Sequence, residues 1–222
     1  MPFGVDEAGK GPALGSMFAA AVHLENPADL PDGIRDSKRL PSDRREELAA
    51  ILRDDERIAV GVAEITPERI DAPETDMNSL AVAAHATAIE EAVADLEQDA
   101  PTAAIPGLCD ACDTDADRFA RRVTEACSLE GVDVDARHGA DDDSPIVGAA
   151  SIVAKVERDA HVAALDDEYG PIGSGYPGDP TTREFLTEYV DDHGDLPPFA
   201  RESWSTCETV LAAAEQTGLE QF

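Results

Sequence analysis

Apolar residues along this chain come in short runs whose spacing alternates between two and about 3.6. Residues 2–7 (Pro-Phe-Gly-Val-Asp-Glu) and 16–24 (Ser-Met-Phe-Ala-Ala-Ala-Val-His-Leu) read as strands, and 57–65 as a third with an alternating apolar core. Between the last two, a helix is expected from Pro41-Ser42-Asp43 to Arg53. A long alanine-rich helix follows over 77–98, then an apolar strand at 102–109, a helix at 115–128 and a strand at 132–137. Asp143-Ser144-Pro145 opens another helix, its proline in the first turn where a missing N–H does no harm. A Gly/Pro-rich loop at 170–180 leads into helices at 180–192 and 202–217. Early strands followed by alternating helices and strands predict an α/β fold, a mixed central sheet flanked by helices. There is no internal repeat or evident linker, so the expected division is a main body over 1–195 and a helical C-terminal segment over 196–222.

The polar residues that interrupt this pattern are placed for chemistry. Asp6 and Glu7 are adjacent at the end of the first strand. Neighbouring side chains on a regular strand point to opposite faces, so these two can serve one site only if the strand ends or bulges there. Gly9-Lys10-Gly11-Pro12 supplies the expected break and lets backbone amides approach a ligand. Acids recur at later strand ends, Asp110 after 104–109 and Asp141 after 132–137, and in α/β sheets ligand sites form where strand ends meet loops. Four carboxylates converging there would repel one another unless cations neutralised them. Mg²⁺ or Mn²⁺ suits such an all-oxygen set, and two ions about 4 Å apart could activate water and stabilise a leaving oxygen. Ser151, Lys155 and Arg158 recur at i, i+4 and i+7 on one helical face, opposite Ile146, Ala149, Val153 and Val156. Support of the carboxylates is the better reading of that stripe than phosphate contact.

Other signals are weaker. Cys109-x-x-Cys112 lacks a second pair and encloses Asp110, which speaks against redox or zinc chemistry. His138, three residues before Asp141, reads as a capping or solvated residue, and His23, His85, His161 and His193 have no ligand spacing. Trp204 reads as a packing residue for the last helix.

Charge changes the picture of partners. The 222 residues carry 48 acidic and 17 basic side chains, a formal net charge of −31, with an ordinary 42% hydrophobic content. Such a surface suits a protein adapted to molar intracellular salt, where the Debye length falls to about 3 Å. It would ordinarily repel nucleic acid. Yet the three lysines, Lys10, Lys38 and Lys155, each fall in a motif-like segment, and Lys38 with Ser37 is a candidate phosphate contact. No run reaches membrane-spanning length and the N-terminus lacks signal-peptide features, so a cytoplasmic monomer with no membrane partner is expected. Four cysteines are too few for a disulfide framework.

Taken together, Asp6-Glu7-Ala8-Gly9-Lys10-Gly11-Pro12, Asp36-Ser37-Lys38, Asp110-Ala111-Cys112-Asp113, Ala140-Asp141 with 149–159, and Gly173-Ser174-Gly175-Tyr176-Pro177 with Asp179-Pro180-Thr181 occur in the order found in type 2 ribonucleases H. The chain resembles an archaeal-type, salt-adapted ribonuclease HII. The resemblance implies a ribonuclease H-like fold and metal-dependent endonucleolytic cleavage of RNA in RNA–DNA hybrids. It extends to cutting on the 5′ side of ribonucleotides embedded in duplex DNA, leaving 5′-phosphate and 3′-hydroxyl ends. Asp6, Glu7, Asp110 and Asp141 match the family's metal-binding carboxylates. Gly9, Lys10 and Gly11 match the loop that reads the ribose 2′-OH, and Tyr176 the tyrosine that stacks on the sugar beyond the junction. One departure is Gly139, where relatives often carry a lysine. The C-terminal Gln216-x-x-Leu219-x-x-Phe222 resembles a sliding-clamp-binding motif without its second aromatic. The alternative function, a non-catalytic clamp-associated nucleic-acid binder of the same fold, is opposed by the complete set of four acids.

Overall fold

A computed structural model describes residues 2–34, 40–94 and 104–219, with side chains described up to Gln216 in the last segment. Ser37 and Lys38 lie outside the described residues, as does Phe222. The chain forms two compact units interleaved in sequence. The first takes in Met1–Ala8, Phe18–Glu64 and Met77–Glu157, and the second Gly9–Met17, Ile65–Asp76 and Arg158–Phe222. The C-terminal residues 196–222 therefore fall in a unit with 158–195 and with the loop that follows the first strand.

The first unit is built on a five-stranded sheet ordered β3-β2-β1-β4-β5, with β1 at Phe3–Ala8, β2 at Met17–Leu24, β3 at Ile58–Ile65, β4 at Ile105–Asp110 and β5 at Val132–Arg137. β1 runs antiparallel to β2 and parallel to β4, and β4 is parallel to β5, giving the mixed sheet the pattern predicts. The helices α1 (Ser42–Asp54), α3 (Met77–Val93) and α4 (Ala116–Ala126) also belong here. α3 packs on β1, and α4 on β5. α6 (Pro145–Tyr169) is buried from Ile146 to Ala154, Ser151 of the expected polar stripe included. Its entry into the core depends on Gly4 of β1, where an added β-carbon would lie 2.5 Å from the Ile146 carbonyl carbon. Leu24, Leu48, Leu52, Ile152 and Val153 close the core around this contact.

The second unit has its own core of Leu14, Ile172, Leu186, Val190 and Phe199, with α7 (Pro180–His193) packed on α8 (Ser205–Leu219). Asp179 caps α7 by accepting from Thr181 N at 2.9 Å, Pro180 takes the first helical position, and Gly194 ends the helix at φ 75°.

On the described residues the predicted elements are present, with differences at their edges. Positions 95–98 of the helix expected over 77–98 and 102–103 of the strand expected over 102–109 lie outside the described residues. The helix expected over 202–217 begins at Ser205, because Glu202 and Ser203 donate their backbone N–H groups to the Asp71 carboxylate at 2.8 and 3.0 Å. The 3₁₀ turn at Pro27–Asp29, α2 (Pro67–Ile70) and α5 (Ala140–Asp143) were not predicted; each is too short to express a hydrophobic period. The break expected in the Gly9–Pro12 segment is there. β1 stays paired with β2 through Glu7↔Ala19 and Ala8↔Phe18, and the chain turns at Gly9, with φ 87°.

Candidate active site

Asp6 and Glu7 lie at the end of β1, which stops at Ala8. They take partners from different helices, yet the Glu7 carboxylate is close enough to raise both the Asp6 and the Asp110 carboxyls. Asp6, 5% exposed, takes a hydrogen bond from Ser151 of α6, and Lys155 one turn further donates its ammonium to the Ser151 hydroxyl. Glu7 instead meets α3, with its Oε2 2.8 Å from His85 Nε2. Parallel pairing sets Val5 opposite Cys109, so the next positions on the two strands are Asp6 and Asp110. Asp110 Oδ1 accepts from Ala140 N at 2.8 Å, which fixes the start of α5. The following residue, Asp141, is 5% exposed within that turn. Gly139, the departure from the family pattern, caps α5 in a left-handed conformation at φ 69° that a side chain would strain.

The electrostatics of this group are unfavourable without a counter-charge. Burial, then the Glu7 carboxylate, push the Asp6 carboxyl up to about 8 despite the opposing Ser151 hydrogen bond and Lys155 charge, and Asp110 adds to the rise. Asp110 is likewise raised, first by burial, against the Ala140 N–H, with Asp141 and Glu7 adding to it. Among the described residues no three His, Cys, Asp or Glu side chains already close into a metal cage. The donor set nevertheless fits a hard divalent cation: its oxygens are carboxylate, its acids destabilise one another, and a cation relieves both burial and repulsion. Asp6, Glu7, Asp110 and Asp141 are the residues that could hold it.

His85 is a residue the sequence reading missed. It is fully buried, lies edge-on to Phe119 with ring centroids 5.1 Å apart, and leaves Nδ1 without a hydrogen-bond partner, so the N–H sits on Nε2 and faces Glu7. Its single available signal was a histidine in the middle of an alanine-rich helix. If it orients Glu7 as a cation ligand, His85→Phe, which keeps the ring shape, should weaken Mn²⁺ activation about tenfold or more. Titration of activity against Mn²⁺ checks this; an unchanged midpoint would leave His85 as packing alone.

The second unit holds the glycine loop. Gly9 has φ 87°, and a β-carbon there would sit 2.9 Å from the Ser16 carbonyl oxygen, so the position admits only glycine without a shift. Ala13 and Leu14 donate to the Gly175 carbonyl at 2.7 and 3.2 Å, Gly15 N to the Phe199 carbonyl at 2.8 Å, and Ser16 N to His161 Nε2 at 3.2 Å. The Gly173–Pro177 segment is thereby tied to the loop, and the Tyr176 ring, 44% exposed, would lie 3.5 Å from a β-carbon on Gly11. Arg158, expected on one stripe with Ser151 and Lys155, parts from them. It donates to the Ser174 carbonyl, and its guanidinium carbon lies 5.3 Å from the Tyr176 ring centroid.

Two further residues were under-read. Arg201, which sequence reasoning passed over, is fully buried and donates to the carbonyls of Gly9, Lys10 and Gly15. Trp204 packs as expected but also donates its indole N–H to the Gly11 carbonyl at 3.2 Å. His138 meets the Asp113 carbonyl at 2.7 Å, a loop-holding role. The cysteines are free, and burial raises the Cys109 thiol well above its ordinary value, the reverse of what redox chemistry needs. Gln216 is exposed near the end of α8, and the side chain of Leu219 is not described.

A mixed sheet with acids on the ends of its central strands and a helix-capped acid beside them defines a protein of the ribonuclease H-like class. Residues 3–207 match the family model described as Ribonuclease HII. A ribonuclease HII of Haloarcula marismortui, a salt-adapted archaeon, is 57% identical over 222 residues, covering 100% of both chains. The ribonuclease H2 from Pyrococcus horikoshii OT3 matches with a TM-score of 0.82 at 36% identity, over 97% of this chain and 99% of that one. The ribonuclease HII in the PCNA:RNase HII complex from Archaeoglobus fulgidus matches with a TM-score of 0.79 at 33% identity, over 95% and 96%. The chain belongs to the ribonuclease HII family and is a ribonuclease H enzyme.

Proposed function

We propose that this enzyme cuts the RNA strand of RNA–DNA hybrids and, in duplex DNA, cuts on the 5′ side of an embedded ribonucleotide, leaving a 5′-phosphate and a 3′-hydroxyl. The observation that carries the reading is Asp6, a buried carboxyl forced upward beside Glu7 and Asp110 on the end of a ribonuclease H-like sheet. That arrangement suits a site completed by cations. Bound Mg²⁺ or Mn²⁺ would supply Lewis-acid stabilisation of the charge that develops at phosphorus and on the leaving oxygen.

The chain's own residues divide the remaining work. Asp6, Glu7 and Asp110 would hold the cations, with Lys155 and Ser151 fixing Asp6 and His85 fixing Glu7. Asp141 either completes that set or takes the proton of the attacking water. Water attacks phosphorus, the bond to the 3′-oxygen breaks, and that oxygen leaves as a hydroxyl after gaining a proton. The amides of the Gly9–Gly11 loop contact the 2′-OH, the group that separates RNA from DNA. Tyr176 stacks on the neighbouring sugar, backed by Arg158, and Ser37 and Lys38 contact phosphate. The enzyme works in the cytoplasm as a monomer. Its Gln216, Leu219 and Phe222 bind the sliding clamp, a reading supported by the clamp complex of the Archaeoglobus fulgidus relative. Deleting 216–222 should lower clamp affinity without changing cleavage; unchanged affinity would remove the clamp assignment.

The decisive test is a duplex carrying one ribonucleotide, incubated in molar KCl with Mg²⁺ or Mn²⁺. A single cut 5′ to the ribonucleotide is expected. No cut, or equal cutting of an all-DNA duplex, would overturn the reading.

A further inference from the structure

We infer that Arg201 is a positioning residue for ribose recognition: its buried guanidinium sets the direction in which the Gly9–Gly11 loop presents its peptide N–H groups. This rests on the proposed role of that loop and adds the device that shapes it.

The geometry is specific. Arg201 Nη2 donates to the Gly9 carbonyl at 2.6 Å, Nη1 to the Lys10 carbonyl at 3.0 Å and Nε to the Gly15 carbonyl at 2.9 Å. One rigid planar fork thus gathers carbonyls from both ends of the loop, a task a flexible ammonium cannot reproduce. In a planar trans peptide the carbonyl of one residue and the N–H of the next point in opposite directions. With the Gly9 and Lys10 carbonyls drawn in towards Arg201, the N–H groups of Lys10 and Gly11 are turned away from it as a pair of neighbouring donors. Pro12 has no N–H, so the donor row ends at Gly11, whose carbonyl is held by Trp204 Nε1. A carbonyl bonded to a cation also polarises its peptide and makes the attached N–H a stronger donor.

The surroundings favour a charged arginine in this place. The guanidinium is fully buried, and its carbon lies 5.1 Å from the Trp204 ring centroid. Burial pulls its pKa down to about 10, with the Asp71 carboxylate opposing the fall, so it stays cationic in the physiological range. Asp71 in turn accepts from Glu202 N and Ser203 N, clamping the turn that carries the arginine. A residue needed only to fill space would call for none of this.

The test compares wild type with Arg201→Lys, Arg201→Met and Trp204→Phe on a duplex carrying one ribonucleotide, with Mn²⁺ in molar KCl. Arg201→Lys is expected to raise KM about tenfold or more and to erode the preference for a ribonucleotide over a deoxynucleotide. The Mn²⁺ midpoint should stay unchanged, because the carboxylates belong to the other unit. Trp204→Phe keeps a ring under the guanidinium and loses only the bond to Gly11, so it should shift KM the same way by less. It decides the matter if the arginine variants do not fold. Wild-type KM and discrimination in Arg201→Lys and Trp204→Phe would overturn the inference, as would a loss confined to kcat with a shifted Mn²⁺ midpoint. Failure of the wild type to cut this duplex would overturn the functional reading itself, an outcome distinct from cutting that is indifferent to Arg201.

Discussion

Asp110→Asn will reduce cleavage by roughly a thousandfold or more while leaving hybrid binding within a few-fold. The substitution is informative because it separates charge from shape. Asp110 accepts from Ala140 N at 2.8 Å and also from the Gly139 backbone, and an asparagine carbonyl can keep the Ala140 bond. The start of α5, and with it Asp141, should therefore stay in place. What disappears is one negative oxygen available to a cation. The binding residues proposed in the second unit are untouched, so affinity should survive. Single-turnover cleavage with Mn²⁺, paired with hybrid binding measured under chelation, checks both halves. Retained turnover would sink the assignment of Asp110; lost binding with lost turnover would point to misfolding of the α5 turn.

What could be read from the sequence followed distance along the chain. Asp6, Glu7, Asp110 and Asp141 could be picked out as candidates because each interrupts or ends an apolar run, and the strand that precedes it supplies the direction. Their partners could not: only the folded chain sets Asp6 against Ser151 and Glu7 against His85. Gly4 is another case: as a residue it is an ordinary strand glycine, and its reason is the backbone of α6 passing against it. His85 and Arg201 act on partners 78 and more than 180 positions away, so no local pattern could join them to Glu7 or to the glycine loop. The stripe of Ser151, Lys155 and Arg158 was legible as a helical spacing, but not its division: Ser151 and Lys155 serve Asp6, whereas Arg158 serves Ser174 and Tyr176.

The raised Asp6 carboxyl has a measurable consequence for stability. An unfolded aspartate titrates near about 3.9, whereas folded Asp6 is held up to about 8 by burial and then by Glu7. Between those values the native state binds more protons than the unfolded state, so stability falls as pH rises. The contribution is fully present below the unfolded value and is lost progressively up to the folded one, at a slope approaching about 1.4 kcal/mol per pH unit. Metal-free enzyme melted in molar KCl should therefore lose melting temperature from about pH 5 to pH 8. Asp6→Asn removes the titrating group and keeps its volume. It should melt higher than wild type at the upper end of that range and show a flatter slope, although its catalysis is lost. Mn²⁺ should restore the wild type most where Asp6 is most strained, at high pH, and should do little for Asp6→Asn. Parallel pH slopes for the two proteins would mean that Asp6 is not held protonated by its neighbours, and would remove the electrostatic argument for a cation beside it.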